Sequence, residues 1–282
     1  MAATPDSPVT VRPPLDEVAL RAALLRPGSL WRGLRVLEET GSTNADLIAV
    51  ARAGADEGEI ITAERQVTGR GRLGRSWVSP ARAGIACSVL LRPTRPNQQR
   101  GWPAAGAHRI GWLPLLTGVA LMVVIRRLGQ VEAWLKWPND VLVGAGRDKC
   151  AGILTEALPD LGVVVGFGVN VTLRRDELPR PDSTSLALAG AQCVDRTLLL
   201  TEMLQELAAR YAAWRSNPDG EELRVEYRRC CDTLGRQVQI ILPSGQSLRG
   251  EAVDVDVDGR LVVAEASGRQ VAVAAGDVIH VR

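Results

Sequence analysis

A short segment interleaves three glycines with three arginines, in the order Gly69-Arg70-Gly71-Arg72-Leu73-Gly74-Arg75-Ser76. Glycines let a backbone approach a ligand closely, and guanidinium groups are fork-shaped donors for phosphate or carboxylate oxygens. This glycine–arginine loop, residues 69–76, could therefore close over an anionic intermediate and exclude water from it. Trp77 follows directly and could offer its ring to a nucleotide base. The alternative interpretation is a solvated basic loop without a ligand.

The same residues match two phosphate-binding motifs by residue type but not by structural context. Residues 69–74 fit the dinucleotide pattern G-x-G-x-x-G, and residues 69–76 approximate a P-loop with Arg75 in place of its lysine. Both motifs need a strand that runs into the first glycine and a helix that leaves the last. The segment Arg65-Gln66-Val67-Thr68 separates the preceding predicted strand from Gly69, and Pro80 disfavours a helix after the loop. The sequence therefore disfavours both motifs.

A second polar segment, Lys136-Trp137-Pro138-Asn139-Asp140, follows an apolar strand and opens a turn. The amide of Asn139 can both donate and accept, as a base or ribose contact requires. Asp140 could hold Mg²⁺ through one carboxylate while phosphates and water supply the other ligands. The alternative is a turn in which both side chains bond to their own backbone.

Lys149 begins the next predicted strand, and it is followed by the small residues Ala151 and Gly152, which leave room for a ligand. The strand after that ends in Gly166-Phe167-Gly168-Val169-Asn170, which adds an amide at a glycine-relaxed site. Lys136 and Lys149 are the two lysines among 34 basic residues. A lysine retained in so arginine-rich a chain indicates a place that suits a compact ammonium better than a planar guanidinium.

The composition narrows the classes of protein. The 282 residues carry 34 Lys and Arg against 32 Asp and Glu, a net charge of +2, so no nucleic-acid partner is expected. The most apolar run has about 13 residues where a membrane span needs about 20, and no signal sequence is evident, so no membrane partner is expected. Five cysteines without C-x-x-C spacing and two histidines disfavour a zinc site and indicate free thiols in the cytoplasm.

The elements that must position these residues follow from hydrophobic periodicity and from caps and turns. We predict helices over 15–26, 43–52, 108–128, 196–216 and 221–230, and strands over 34–37, 59–63, 84–91, 132–137, 150–158 and 161–171. Ser42 and Thr43 are good caps for the second helix. Five short β patterns after residue 234 predict a small barrel. We therefore expect a disordered lead over residues 1–14, an α+β domain over 15–233 and an SH3-like domain over 234–282.

Together the motifs resemble the biotin protein ligases, the BirA-like enzymes. The matching pieces occur in the family's order: Ser42-Thr43-Asn44, Gln66 before the glycine–arginine loop, Lys136-Trp137-Pro138-Asn139-Asp140, Lys149 with Gly152-Ile153-Leu154, and Gly166-Phe167-Gly168-Val169-Asn170. The resemblance extends from about residue 35 to the C-terminus. It implies a mixed-sheet catalytic domain related to class II aminoacyl-tRNA synthetases and lipoate ligases, with packed helices and an SH3-like domain after it.

The resemblance also implies a two-step reaction. The carboxylate of biotin attacks the α-phosphate of ATP, which gives biotinyl-adenylate and pyrophosphate. A lysine of a biotin carboxyl carrier protein then displaces AMP. Two anions must approach each other in the first step, so Arg70, Lys149 and Mg²⁺ held by Asp140 are the expected catalytic groups.

Binding residues carry over from the family to matching positions. Those implied for biotin are Ser42, Thr43, Asn44, Gln66, Gly69, Arg70, Gly71, Arg72, Lys149 and Gly152. Those implied for the nucleotide are Arg72, Arg75, Trp77, Lys136, Asn139, Asn170 and Arg282, with Trp77 packed on adenine. The ureido ring of biotin needs donors and acceptors, which the Ser42–Asn44 triplet and Gln66 offer.

Two other functions are weighed against this one. A lipoate or octanoate ligase of the same superfamily is disfavoured, because the polar triplet and Gln66 suit a polar bicyclic ligand better than an acyl chain. A DNA-binding, biotin-responsive repressor is disfavoured because about 41 residues precede Ser42, too few for a winged helix-turn-helix. We therefore expect a monofunctional enzyme.

Overall fold

The computed structural model describes residues 12–217 and 220–281. The larger part contains seven strands: β1 (Gly33–Leu37), β2 (Glu59–Ala63), β3 (Gly84–Leu91), β4 (Ala133–Lys136), β5 (Asp140–Val143), β6 (Asp148–Leu158) and β7 (Gly162–Asn170). Five helices accompany them: α1 (Glu17–Leu24), α2 (Thr43–Arg52), α3 (Trp112–Gly129), α4 (Arg196–Ser216) and α5 (Glu221–Cys230). This is the α+β arrangement that the sequence predicts.

The seven strands form one mixed sheet in the order β1-β2-β3-β7-β6-β5-β4. Strands β1 and β2 are parallel, and every other neighbouring pair is antiparallel. Successive side chains of a strand point to opposite faces, so each strand can bury two surfaces. On one face Ile61, Leu90 and Val164 pack against Leu47 of α2. On the other face the alternate residues join the large core with α3 and α4.

The smaller part follows α5 and contains β8 (Gln237–Ile241), β9 (Ser247–Val255), β10 (Leu261–Ala264), β11 (Gln270–Val273) and β12 (Asp277–His280). These strands form one antiparallel sheet in the order β11-β10-β9-β8-β12, which agrees with the predicted SH3-like module. Two indole N–H groups of the larger part hold the β9–β10 turn: Trp112 Nε1 donates to the carbonyl of Val257 at 2.8 Å, and Trp137 Nε1 donates to that of Gly259 at 3.0 Å. The two parts therefore share an interface built on backbone hydrogen bonds.

The structure departs from the sequence prediction at two elements. Strand β5 occupies residues that were expected to form a turn and the loop beyond it, because its four residues are too few for a period to be recognised. The long central helix begins at Trp112 rather than at residue 108, since Ala107–Gly111 forms a 3₁₀ turn. Together the 3₁₀ turn and the helix, Ala107–Gly129, are long and apolar enough to cross a membrane. Two thirds of their most apolar stretch, however, lies buried inside the protein, as in a core helix.

Part of the expected disordered lead is ordered, since residues 12–14 lie along the larger part, whereas residues 1–11 lie outside the described residues. Arg12 forms an ion pair of 2.6 Å with Glu177. Next to it, a second ion pair of 2.6 Å joins Arg196 to Glu64, and both side chains are about 95% buried. Arg196 also donates to the carbonyl of Pro13, and Glu64 accepts from the amide of Leu15. This buried pair thus fixes the N-terminal segment to the end of β2.

We predict that Arg196→Met lowers the free energy of unfolding by about 3 kcal/mol, because it leaves the buried carboxylate of Glu64 without its counter-charge. Urea unfolding followed by circular dichroism measures the change. The control is Arg269→Met, which removes an arginine that is 70% exposed and paired with Glu265. That control should alter the free energy by less than about 0.5 kcal/mol. Equal losses in the two variants would contradict the importance of the buried pair.

Candidate active site

One cavity of about 400 Å³ lies where the start of α2, the glycine–arginine loop, strands β6 and β7, and β12 of the smaller part converge. The sequence-predicted site residues that line it are Ser42, Thr43, Asn44, Gln66, Arg70, Gly71, Arg72, Arg75, Trp77, Asn139, Asp140, Lys149, Gly152 and Asn170. Residues far apart in the chain are thus brought to one place. Sequence reasoning missed three polar lining residues, Arg180, Ser183 and Asp277, because they come from a loop and a domain without a recognised motif.

The cavity has a polar end at the first turn of α2. Ser42 is the N-cap residue, as predicted, but its side chain makes no capping hydrogen bond. Instead Gln66 supplies the acceptor that the free helix N–H groups require, because its Oε1 accepts from the backbone N–H of Thr43 at 2.8 Å. Asn44 is bound on both sides: its Nδ2 donates to Glu156 at 2.7 Å and its Oδ1 accepts from Ser88 at 2.6 Å.

Lys149 faces the cavity because of a bulge in β6. The partner of Val141 in β5 is Ala151, but the partner of Leu142 is Lys149, so Cys150 is an extra residue in the ladder. Cys150 and Ala151 consequently both lie in the large core, and Lys149 turns to the cavity beside Gly152. Its ammonium lies 2.6 Å from Oδ1 of Asp140, the first residue of β5.

Three glycines make space for the polar and aromatic side chains. A Cβ atom on Gly168 would lie 2.4 Å from the indole of Trp77, and one on Gly152 would lie 3.1 Å from the same ring. A Cβ on Gly166 would lie 2.0 Å from Oδ1 of Asn44. The indole of Trp77 therefore packs closely against β6 and β7, and the ammonium of Lys149 lies 5.8 Å from its ring centroid. The adenine contact of Trp77 stays a prediction.

Each arginine of the glycine–arginine loop has a partner on a different element. Arg72 donates to Oδ1 of Asn139 at 3.1 Å, Arg70 lies 3.7 Å from Glu156 of β6, and Arg75 forms an ion pair with Asp277 of β12. The amide of Asn139 is in turn held by β6, because its Nδ2 donates to the carbonyl of Ile153 at 2.9 Å. The loop is therefore docked on both parts of the protein and is not simply a solvated basic loop.

The cavity is predominantly cationic. Its lining includes Arg70, Arg72, Arg75, Lys149 and Arg180, against the carboxylates of Asp140 and Asp277. Burial lowers the pKa of the Arg72 guanidinium, although Asp140 and Asp277 oppose this shift. Desolvated cations of this kind attract anions strongly, since water no longer screens them. The arrangement suits a ligand with a polyphosphate or a carboxylate.

Four predicted residues stand apart from the others. Gly69 shapes the loop rather than lining the cavity: its carbonyl accepts from the amide of Trp77 at 2.8 Å, and a Cβ would lie 2.3 Å from the carbonyl of Trp77. Lys136 lies beside Asp140 outside the cavity lining, and burial lowers the pKa of its ammonium. Asn170 lines the cavity, but its amide donates to the carbonyl of Thr184. Arg282 lies outside the described residues.

The sequence-predicted magnesium ligand, the carboxylate of Asp140, lines the cavity. Within residues 12–217 and 220–281, no three His, Cys, Asp or Glu side chains are grouped so that they could hold a metal ion. Asp140 is also already engaged by Lys149. The donor set therefore fits an ion that arrives with its own phosphate ligands, and it does not fit a metal held by the protein alone.

Comparisons with known proteins place both parts of the chain in known families. The Biotin/lipoate A/B protein ligase family matches residues 36–170, and the Biotin protein ligase C terminal domain matches residues 233–281. The chain is 45% identical to the Biotin--[acetyl-CoA-carboxylase] ligase of Mycobacterium tuberculosis, with 96% of this chain and 98% of that protein covered. It is 31% identical to the enzyme of the same name from Paracoccus denitrificans, with 85% of this chain and 98% of that protein covered.

The fold is also similar to solved structures. A biotin protein ligase from Aquifex aeolicus, solved in complex with biotin and ATP, superimposes with a TM-score of 0.73 at 25% identity, covering 89% of this chain and 100% of that one. The bifunctional ligase/repressor BirA of Escherichia coli is 29% identical, but this chain covers 68% of its length.

We predict that Asp277→Asn makes the glycine–arginine loop about threefold more sensitive to trypsin. Arg75 holds the pKa of the Asp277 carboxyl below its usual value, so the carboxylate is charged at neutral pH and attracts the loop. An ion pair this exposed contributes less than about 1 kcal/mol, which corresponds to a few-fold change in loop opening. Mass spectrometry of fragments cut after Arg70, Arg72 or Arg75 measures the rate. The control is Asp176→Asn, which removes an exposed partner of Arg174. The same acceleration in that control would contradict the role of the Arg75–Asp277 ion pair in holding the loop.

Proposed function

The chain belongs to the biotin protein ligases of the biotin/lipoate A/B protein ligase family, and on that premise we propose that it activates biotin with ATP and transfers it to a carrier-protein lysine. The observation that carries the proposal is the position of Lys149. Lys149 lines the same cavity as the polar residues Thr43, Asn44 and Gln66 and as the arginines of the glycine–arginine loop, and its ammonium is held by Asp140. A small polar acid and a polyphosphate would meet at this point.

In the first step a carboxylate oxygen of biotin attacks the α-phosphorus of ATP. The new oxygen–phosphorus bond gives biotinyl-adenylate, and pyrophosphate leaves with the electron pair of the broken bond. Lys149 would bridge the carboxylate and the α-phosphate, which otherwise repel each other. Arg70 and Arg72 would neutralise the negative charge that shifts to the leaving group.

Magnesium would enter as part of the ATP substrate and supply further screening of the phosphates. Asp140 would contribute one oxygen ligand to it, while Lys149 turns its ammonium to the reacting groups. Asn139 holds Arg72 in place for the same purpose. The roles of Trp77, Asn170 and Arg282 toward the nucleotide follow from the family resemblance.

In the second step the amine of a carrier-protein lysine attacks the carbonyl carbon of biotinyl-adenylate. An amide bond forms, the bond to the phosphate oxygen breaks, and AMP leaves. The nucleophile comes from the partner, so the chain needs no nucleophile of its own. The name of the Mycobacterium tuberculosis relative points to acetyl-CoA carboxylase as the source of the carrier domain.

The site of action that we propose is the cytoplasm. All five cysteines lie within the described residues, and each is a free thiol. Free thiols are typical of a reducing compartment. Burial also raises the pKa of the Cys150 thiol to about 12, so the thiol next to Lys149 is protonated and unreactive near neutrality.

The test of the function is pyrophosphate release in the presence of ATP, Mg²⁺ and either biotin or lipoate. We expect release with biotin and at least a hundredfold slower release with lipoate, because the polar end of the cavity would be left without partners for its donors and acceptors. Addition of a biotin carboxyl carrier domain should then give a biotinylated product detected by mass. Lipoate-dependent release without biotin-dependent release would refute biotin as the substrate.

We predict that Lys149→Arg lowers kcat/KM for adenylation at least a hundredfold, a loss of about 3 kcal/mol, although it keeps the charge. The compact ammonium of Lys149 lies 2.6 Å from Oδ1 of Asp140, and a planar guanidinium on a longer side chain does not reproduce that position of the charge. Pyrophosphate release measures the loss. Lys136→Arg, outside the cavity lining, is the comparison and should cost less than tenfold. Near-normal activity of Lys149→Arg would show that the ammonium has no special role.

A further inference from the structure

One serine does not line the cavity but forms hydrogen bonds with two polar residues that do. Ser88 lies in the middle of β3, in the apolar sequence Gly84–Leu91, and its side chain is completely buried. It faces α2, as Leu90 does two residues later. Its cross-strand neighbour is Gly166, which leaves the space for the amide of Asn44. A buried hydroxyl in an apolar strand needs hydrogen-bond partners, and Ser88 has two, both at the start of α2.

The donor and acceptor of each of these hydrogen bonds can be assigned by starting from Glu156. The carboxylate of Glu156 can only accept, so the Nδ2 of Asn44 must face it and Oδ1 must face Ser88. Oδ1 also only accepts, so the single proton of Ser88 goes to Asn44 at 2.6 Å. The hydroxyl of Thr43 lies 2.7 Å from the oxygen of Ser88 and 3.0 Å from Oε1 of Gln66, and both of these atoms accept. The proton of Thr43 is therefore bound within the protein, with Ser88 as its nearer acceptor.

The same directions set what the cavity offers to a ligand. Because the acceptors of its proton, Ser88 and Gln66, belong to the protein, Oγ1 of Thr43 presents a lone pair to the cavity and acts as an acceptor. Gln66 has its Oε1 held by the amide of Thr43, so its Nε2 is left as a donor. An acceptor beside a donor is the complement of a cyclic urea, which offers N–H groups next to a carbonyl.

We propose that Ser88 is a positioning residue that determines the specificity of the site for the ureido ring of its substrate. It does not touch the ligand; it acts through Thr43 and Asn44, and Glu156 sets the polarity of the chain of hydrogen bonds. The proposal rests on the proposed function, since it assigns the polar end of the cavity to the ureido group of biotin.

The test compares Ser88→Ala with the wild-type chain in pyrophosphate release, with biotin and with an analogue that lacks the urea, 5-(tetrahydrothiophen-2-yl)pentanoic acid. We expect the KM for biotin to rise about tenfold, the effect of about one hydrogen bond, while the KM for ATP stays within twofold. The preference for biotin over the analogue should fall by the same factor. A purely structural role would reduce activity with the two acids equally.

The matched control is Thr62→Val, which removes an equally buried hydroxyl from the adjacent strand β2. The hydroxyl of Thr62 donates to the carbonyl of Ala86 and has no contact with the chain of hydrogen bonds at Ser88. This control should leave the preference for biotin unchanged. Ser88→Cys keeps the side-chain size but donates weakly, so its KM for biotin should lie between those of wild type and Ser88→Ala.

Biotin-dependent pyrophosphate release by the wild type upholds the proposed function. Given that release, any of three results would overturn the role of Ser88: an unchanged KM for biotin in Ser88→Ala, equal losses of activity with biotin and the analogue, or the same loss of preference for biotin in Thr62→Val. If Ser88→Ala does not fold, Ser88→Cys is judged by the same criteria, and an unchanged KM for biotin there overturns the proposal. Failure of the wild type to release pyrophosphate with biotin would refute both.

Discussion

The bulge at Cys150 is the constraint on which the rest of the site depends. Without the extra residue, strict alternation along β6 would send Lys149 to the same face as Ala151, which lies in the core. A lysine there would lose its hydration without gaining an anionic partner. The bulge instead turns Lys149 toward Gly152 and Asp140. One irregular backbone position thus brings this ammonium group into the cationic cavity.

The cavity keeps its cations in place by giving each one a partner before any ligand enters. Arg70, Arg72 and Arg75 contact a strand carboxylate, a turn amide and a carboxylate of the smaller part, respectively. Guanidinium groups held in this way need little reorganisation when phosphate charge arrives, which is how preorganised sites stabilise developing charge. The smaller part takes part in holding the loop through Asp277.

The sequence pattern predicts long periodic elements well and local irregularities poorly. The bounds of β3 and α4 agree with the periodicity, because both bury continuous apolar surfaces. Strand β5 was missed because Asn139 and Asp140 have the composition of a turn, and the bulge at Cys150 leaves no mark in residue types. Ser88 lies within an apolar run, where a serine is inconspicuous; its meaning depends on the side chains of α2, which come 44 residues earlier and meet it only in the folded chain.

The retention of two lysines among so many arginines has a physical explanation in the position of Asp140. Across the β4–β5 pair Asp140 is the direct partner of Lys136 in the strand register, and its carboxylate forms an ion pair with Lys149, so one carboxylate acts electrostatically on two ammonium groups. Asp140 opposes the burial-driven fall in the pKa of Lys136, while Lys149 repels that ammonium. Compact ammonium groups can share a single carboxylate in so small a space, whereas two planar guanidinium groups would need more acceptors and more room. The two lysines are therefore best understood as two ammonium groups near one acid, of which Lys149 forms the ion pair and lines the cavity.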